Sequence, residues 1–234
     1  MRTGLLFGSM VAALLVASTA LAEEEGDSGA SSSWMPSSHA RALEITTGSG
    51  FSQGFGEISK GGKKMSDVAS SGFAPQLGLG YRINPRWMVG IYVEGALYRP
   101  DRGSLSDRRV FGAAAGIQAN WHFLPFARLD PWIGLGGGWR GNWVDDDDAP
   151  TASLQGLDLA RLQIGADYHF SHSFVLGPTI GASVTEFISQ KEPAQSSFRS
   201  VTDPRPVTFL FIGTTARFDL GGKVVAPSQA LASR

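Results

Sequence analysis

Apolar residues alternate with polar or small residues along most of the chain, from Arg41 to Leu220. A period of two sustained over such lengths is typical of β-strands. In residues 111–123, for example, the even positions are small or polar, and the odd positions are Phe111, Ala113, Ala115, Ile117, Ala119, Trp121 and Phe123. The alternation predicts eight strands, at residues 41–57, 73–83, 87–97, 111–123, 131–143, 160–170, 174–188 and 207–220.

The connections between these segments alternate in length. Short ones lie at residues 84–86, 124–130 and 171–173, and longer polar ones lie at residues 58–72, 98–109, 144–153 and 189–205. The pattern predicts an all-β fold: an eight-stranded antiparallel up-and-down transmembrane β-barrel with short periplasmic turns and longer extracellular loops.

The two faces of the predicted strands differ in chemistry. Nearly all of the strand-borne charge lies on the face of small residues, at Glu44, Arg82, Arg86, Glu94, Arg140, Arg161, Asp167, Arg217 and Asp219. A soluble eight-stranded barrel such as a lipocalin would instead place its large apolar groups inside. We therefore predict that the charged face lines the lumen and that the apolar face meets lipid.

Aromatic residues concentrate at both ends of the apolar face, which predicts two girdles at the membrane interfaces. Near the short turns these residues are Tyr81, Trp87, Trp121, Phe123, Tyr168, Phe170, Phe174 and Phe218. Near the long loops they are Phe73, Phe111, Trp139 and Trp143.

An eight-stranded barrel has room inside only for side chains, so its buried charges have to pair. We predict a lower layer near the short turns and an upper layer near the long loops. The lower layer holds Glu44, Asp167, Asp219, Arg82, Arg86 and Arg217, and the upper layer holds Glu94, Arg140 and Arg161. Such an interior is plugged rather than open as a pore.

The first residues of the chain predict export. Residues 1–22 combine a positive start, an uncharged apolar run and a final Ala-Leu-Ala, as a cleavable signal peptide does. Residues 23–40 are acidic and Ser-rich and predict a flexible segment, and residues 221–234 form a tail after the barrel of residues 41–220.

The chain has no cysteine, and its formal net charge of −1 gives no field that favours nucleic acid.

Two charged stretches are candidates for ligand contact. The run Asp145–Asp148 offers carboxylates to Ca²⁺ or Mg²⁺, but it lacks the spaced ligands of a dedicated loop, so a solvated loop is favoured. Basic groups at 60–64 and 99–109 lie in long loops, where they either bind lipopolysaccharide phosphates or are simply solvated. The sequence predicts no metal site and no cofactor.

The signal peptide, the eight segments and the aromatic ends together resemble the eight-stranded outer-membrane barrels of bacteria, including the OmpA transmembrane domain, OmpX, OmpW and the opacity proteins. The final strand, with Gly213 and Phe218, looks like the assembly signal of that family, although the chain continues beyond it. The resemblance implies a monomer in the outer membrane. Its implied partners are outer-membrane lipid, lipopolysaccharide and the barrel-assembly machinery.

His169-Phe170-Ser171 matches the His-x-Ser spacing of the outer-membrane lipid A deacylases, which are also eight-stranded barrels. In that family the site faces the outer leaflet, whereas these residues lie at a predicted periplasmic turn. Because a motif needs its structural context, the sequence favours a turn here.

Two functional hypotheses remain from the sequence. The first is a non-enzymatic structural or surface-interaction protein, with a plugged barrel that presents loops outside the cell. The alternative, implied by the resemblance to OmpW, is a conduit for small apolar molecules through a lateral opening, which Pro75 and Pro178 would mark if they are not simply bulges. A lipid-modifying enzyme is the third hypothesis.

Overall fold

The computed structural model describes residues 36–99, 109–146, 149–192 and 197–226. The predicted signal peptide of residues 1–22 lies outside these ranges. The described elements are β1 (Ser38–Ala40), β2 (Ala42–Phe55), α1 (Met65–Val68), β3 (Ser71–Arg82), β4 (Trp87–Arg99), β5 (Arg109–His122), β6 (Leu129–Asp146), β7 (Ala149–His169), β8 (Phe174–Lys191), β9 (Arg199–Ser200), β10 (Pro206–Leu220) and β11 (Lys223–Val225). Among the described residues, no helix has both the length and the apolar character needed to cross a membrane.

Eight long strands, β2 to β8 and β10, pair antiparallel with their neighbours in the chain. Strand β10 pairs with β8 on one side and with β2 on the other, from Leu220 opposite Leu43 to Thr208 opposite Phe55. The sheet therefore closes on itself, which leaves no free edge and satisfies the backbone hydrogen bonds of each strand within the wall. The predicted eight-stranded antiparallel barrel is confirmed.

Exposure alternates along the strands as the period of two requires. In β3 the burial alternates along most of the strand, with Arg82 only 1% exposed. On the outer face the large apolar side chains are exposed, with Ile117 in β5 at 71%. A polar inside and an apolar outside are the reverse of the arrangement in a soluble barrel.

The connection between β6 and β7 differs from the sequence prediction. Residues 144–153 were predicted to form a long loop, but β6 continues to Asp146 and β7 begins at Ala149, with these two residues paired. The strand β7 contains a β-bulge between Asp158 and Ala160, which shifts the alternation of buried and exposed side chains by one position. A search for continuous alternation therefore finds only the second half of β7.

The chain segments that flank the barrel pair with each other. The short strands β1 and β11 form a two-stranded ribbon with Ser38 opposite Val225. The backbone turns into it at Gly221 and Gly222, with φ of 68° and 75°, a conformation that glycine adopts without steric cost. Residues 38–40 of the predicted flexible segment and residues 223–225 of the tail therefore form strands.

Candidate functional site

The lower layer of the lumen is a network of paired charges. Arg82 donates from Nη2 to Glu44 Oε2 at 2.5 Å and from Nε to Asp219 Oδ1 at 3.3 Å. Arg217 donates from Nη1 to Asp167, and its Nε lies 3.7 Å from Glu44 Oε2. All five side chains are buried away from bulk water. Each charge is therefore stabilised by an oppositely charged partner instead of by hydration.

Arg86 does not join this network, contrary to the sequence prediction. Strand β3 ends at Arg82, and the turn that follows breaks the period of two, so the parity of the strand no longer applies at Arg86. The Asn84 carboxamide oxygen accepts from the backbone N–H groups of Arg86 and Trp87, at 2.9 and 3.0 Å, and fixes the turn. The Arg86 guanidinium instead lies 5.7 Å from the ring centroid of Trp121, among the aromatic residues of this end.

Three buried side chains enlarge the lower layer beyond the prediction. Trp132 Nε1 donates to Asp167 Oδ1 at 3.0 Å, and His122 Nδ1 lies 2.8 Å from Asp130 Oδ2. The His122 ring also lies 3.2 Å from Arg217 Nη1. Asp130 falls in the predicted turn of residues 124–130, whereas the even parity of His122 and Trp132 indicates a lumen position.

The upper layer contains two cations and two carboxylates. Arg140 donates from Nε and Nη2 to the two carboxylate oxygens of Asp158, at 2.9 and 3.1 Å, which is a bidentate pair. Its Nη1 also donates to Glu94 at 3.2 Å, and Arg161 Nη1 donates to the other oxygen of Glu94 at 2.8 Å. Asp158 is absent from the predicted layer because the bulge next to it places its side chain on the opposite parity from Arg161.

Polar side chains extend from the upper layer toward the lower one. Gln76 donates to Glu94 at 3.0 Å, and Gln163 donates to Gln76 at 3.1 Å. Beside them lies a space of about 30 Å³ bordered by Tyr92 and Asn120. A volume of this size holds roughly one water molecule and no larger solute.

An apolar plug lies between the upper layer and the loops. Phe187 (0% exposed) and Phe209 point into the lumen, and Met65 of α1 packs with them. The Arg140 guanidinium lies 4.3 Å from the Phe209 ring centroid, so the plug rests directly on the charged layer. The sequence signal for the plug is the parity of Phe187 and Phe209, which is opposite to that of Ile188 and Leu210.

The predicted girdle residues form clusters of rings on the outer face. At the short-turn end, Trp87 meets Trp121 edge-on at 4.7 Å, and a row of rings with centroids 4.9–5.8 Å apart comprises Tyr168, Phe170, Phe174 and Phe218. At the loop end, Trp143 lies between Phe111 at 5.7 Å and Trp139 at 6.0 Å. The side chains of Tyr81, Phe73 and Phe123 are exposed.

His169 and Ser171 do not make a catalytic pair in this structure. The Ser171 hydroxyl oxygen accepts from the backbone N–H groups of Ser173 and Phe174, at 3.3 and 3.0 Å, which stabilises the turn. The buried His169 ring has no hydrogen-bond partner among the described residues. A nucleophile needs a base within hydrogen-bond reach, and none of the described residues provides one to the Ser171 hydroxyl.

The strand pairing is interrupted on one side of each proline: Pro75 has no partner in β4, and Pro178 has none in β7. Pro75 is paired with Ser49, and Pro178 with Thr214, on one side of their strands. On the other side of β8 the backbones are in close contact, because a Cβ added to Gly177 would lie 1.8 Å from the Ala166 carbonyl oxygen. The described wall therefore has no lateral gap at Pro178.

The candidate charged loops are only partly described. Lys60, Lys63 and Lys64 are exposed in the turn between β2 and α1. Most of the basic stretch at 99–109 lies outside the described residues, as do Asp147 and Asp148 of the acidic run. The residues that the structure describes contain no group of three or more His, Asp or Glu side chains placed to hold a metal ion.

A closed eight-stranded antiparallel barrel with a paired polar interior and an apolar outer face has the fold of the eight-stranded outer-membrane β-barrels. The crystal structure of Neisserial surface protein A is similar to this chain with a TM-score of 0.51 and 14% identity, over 76% of this chain and 97% of that protein. Two other similar structures have TM-scores of 0.45: Ail of Yersinia pestis, at 14% identity over 76% and 99% of the two chains, and OprG of Pseudomonas aeruginosa, at 12% over 77% and 98%. No protein-family model matches the chain, and no curated protein matches it.

Proposed function

We propose that this protein resides in the bacterial outer membrane after export by its signal peptide. There its barrel acts as a closed, non-enzymatic scaffold that presents the longer loops outside the cell, in a structural or surface-interaction role. The observation that carries the proposal is the filled lumen, in which two charged layers and an apolar plug occupy the cross-section. The described spaces next to the charged layers measure about 30 and 10 Å³, which suits water and no solute.

The outer face supports the membrane location. Exposed aliphatic side chains such as Leu77, Ile117 and Ile212 form a band around the barrel, and aromatic clusters lie toward both ends of it. Exposed apolar surface of this extent would promote aggregation in water, whereas a bilayer solvates it.

Contacts with lipid and with the assembly machinery are part of the proposal. The exposed Lys60, Lys63 and Lys64 lie at the loop end, where they would meet lipopolysaccharide phosphates. In the last barrel strand, Phe218 packs on Phe174 with ring centroids 4.9 Å apart, which leaves the aromatic residue of the assembly signal on the outer face.

A lipid-embedded barrel will be retained in the outer-membrane fraction and will migrate differently on a detergent gel before and after boiling. The reason is that the closed hydrogen-bonded wall resists detergent until heat opens it. The measurement is membrane fractionation followed by paired unheated and boiled lanes, with a soluble periplasmic protein as the control. Recovery in the soluble periplasm with no mobility shift would contradict the proposal and would favour a lipocalin-like carrier.

The filled lumen also predicts that the reconstituted protein carries no steady ionic current. The charged layers and the plug leave no continuous water column through the described interior, so we expect planar-bilayer recordings at the level of protein-free bilayers. A general porin reconstituted in the same way provides the positive control. Stepwise conductance that scales with the amount of inserted protein would overturn the plugged scaffold in favour of the conduit hypothesis.

A further inference from the structure

A cavity of about 360 Å³ lies at the loop end of the barrel. Its wall is formed by β6, β7 and β8 together with the segment between β2 and β3. It is separate from the small spaces between the charged layers. Its volume falls in the range of pockets that enclose small molecules.

One side of this mouth cavity is apolar. Ile58 belongs to the apolar plug, and Val68, Val144 and Leu154 pack against the plug and also line the cavity. The plug therefore provides a preformed apolar surface, and a ligand can pack against it without any rearrangement of the barrel.

A buried carboxamide also lines the cavity. Asn142 is 1% exposed, and neither its Nδ2 nor its Oδ1 has a hydrogen-bond partner among the described residues. The residue opposite it in β5 is Gly112, where a Cβ would lie 2.9 Å from Asn142 Oδ1. Because buried polar groups normally have partners, a buried carboxamide that lacks them beside a cavity points to a bound polar group.

The charged residues around the cavity favour an anion. Lys63 and Lys191 contribute two positive charges, and Glu192 contributes one negative charge. Lys63 and Glu192 are exposed, so the charged side of the cavity reaches solvent while the apolar side is closed by the plug.

We propose that the mouth cavity binds a small amphipathic anion. Its apolar body would cover Val68, Val144 and Leu154, and its charged end would accept from the Asn142 carboxamide and pair with Lys63 or Lys191. This inference goes beyond the proposed function, because a surface scaffold requires no small ligand. Its failure would leave the membrane location and the filled lumen untouched.

The test is isothermal titration calorimetry of the protein in lipid nanodiscs, with empty nanodiscs as the reference. The probes are 4-phenylbutyrate, which carries an apolar body and a carboxylate, and 4-phenylbutanol, which keeps the body but lacks the charge. We expect saturable binding of the carboxylate, with an affinity about tenfold higher than that of the alcohol. Equal heats from protein-loaded and empty nanodiscs would show partition into lipid and would overturn the proposal.

Variants separate the contributions of the site. Leu154→Trp fills the cavity and should abolish saturable binding, while Asn142→Leu keeps the number and branching of the side-chain heavy atoms, removes the carboxamide and should weaken binding about tenfold. The double variant Lys63→Gln with Lys191→Gln should remove the preference for the carboxylate, whereas Lys60→Gln in the same turn, outside the cavity lining, should change nothing. Gel mobility of unheated samples verifies the fold of each variant, and unchanged binding in a folded Leu154→Trp variant would refute the site.

Discussion

Replacement of Arg140 by leucine is expected to destabilise the folded barrel by about 3–5 kcal/mol, because it removes the cation that Asp158 and Glu94 share. Among the described residues, Asp158 would keep the Thr185 hydroxyl as its one hydrogen-bonding side chain, and Glu94 would keep Arg161 as its one ion-pair partner. Urea unfolding in phospholipid vesicles, followed by tryptophan fluorescence, measures the change.

Two further variants distinguish the loss of the buried ion pairs from the simple loss of a positive charge. Arg86→Leu removes the same charge from the turn, where the guanidinium is not in an ion-pair network, and should cost less than about 1 kcal/mol. Arg140→Leu combined with Asp158→Leu removes a whole pair and should be more stable than Arg140→Leu alone, since no unpaired carboxylate remains. Equal unfolding free energies for Arg140→Leu and Arg86→Leu would contradict the pairing in the upper layer.

Truncation of the plug is the second change with a large expected effect. Phe187→Ala is expected to lower the free energy of unfolding by about 3–5 kcal/mol, because it opens a void among fully buried apolar side chains. The same urea titration measures the loss.

The matched control for this change is Phe198→Ala, which makes the same truncation at a side chain that is 48% exposed and outside the barrel strands. We expect this control to cost less than about 1 kcal/mol. A second measurement on Phe187→Ala, its planar-bilayer current, should stay at the baseline because both charged layers remain in place. Similar losses from the two truncations would mean that the plug is not packed as described.

The alternation in the sequence predicts the barrel because every strand of a closed eight-stranded wall follows the same pattern. Small or polar side chains point inside, and apolar side chains point outside. Glu44, Asp219 and Arg82 follow that rule, and the structure places them in one network. The prediction failed where the rule is interrupted. Arg86 lies in a turn, and Asp158 lies on the far side of a bulge, so neither keeps the parity on which the sequence analysis relied.

Other parts of the interior depend on contacts that parity cannot supply. Phe187 and Phe209 occupy lumen positions, but their role as a plug arises only when the segment containing Met65 folds over the barrel mouth. Strands β1 and β11 come from the two ends of the described chain and pair with each other. No local pattern in residues 36–40 predicts this pairing. The plug and the β1–β11 ribbon were not predicted because both depend on tertiary contacts between segments that are distant in the sequence.

The pairing of β2 with β10 also constrains the order in which the protein can be built. Because Leu43 lies opposite Leu220, the ring cannot close until the chain has been synthesised through residue 220. Until then β2 has a free edge, and its apolar side chains have no bilayer around them, which is the condition under which strands associate wrongly. Loop-closure entropy adds to the delay because the joined strands are so far apart in sequence. The last step in forming the barrel is therefore the meeting of its first and last strands, β2 and β10.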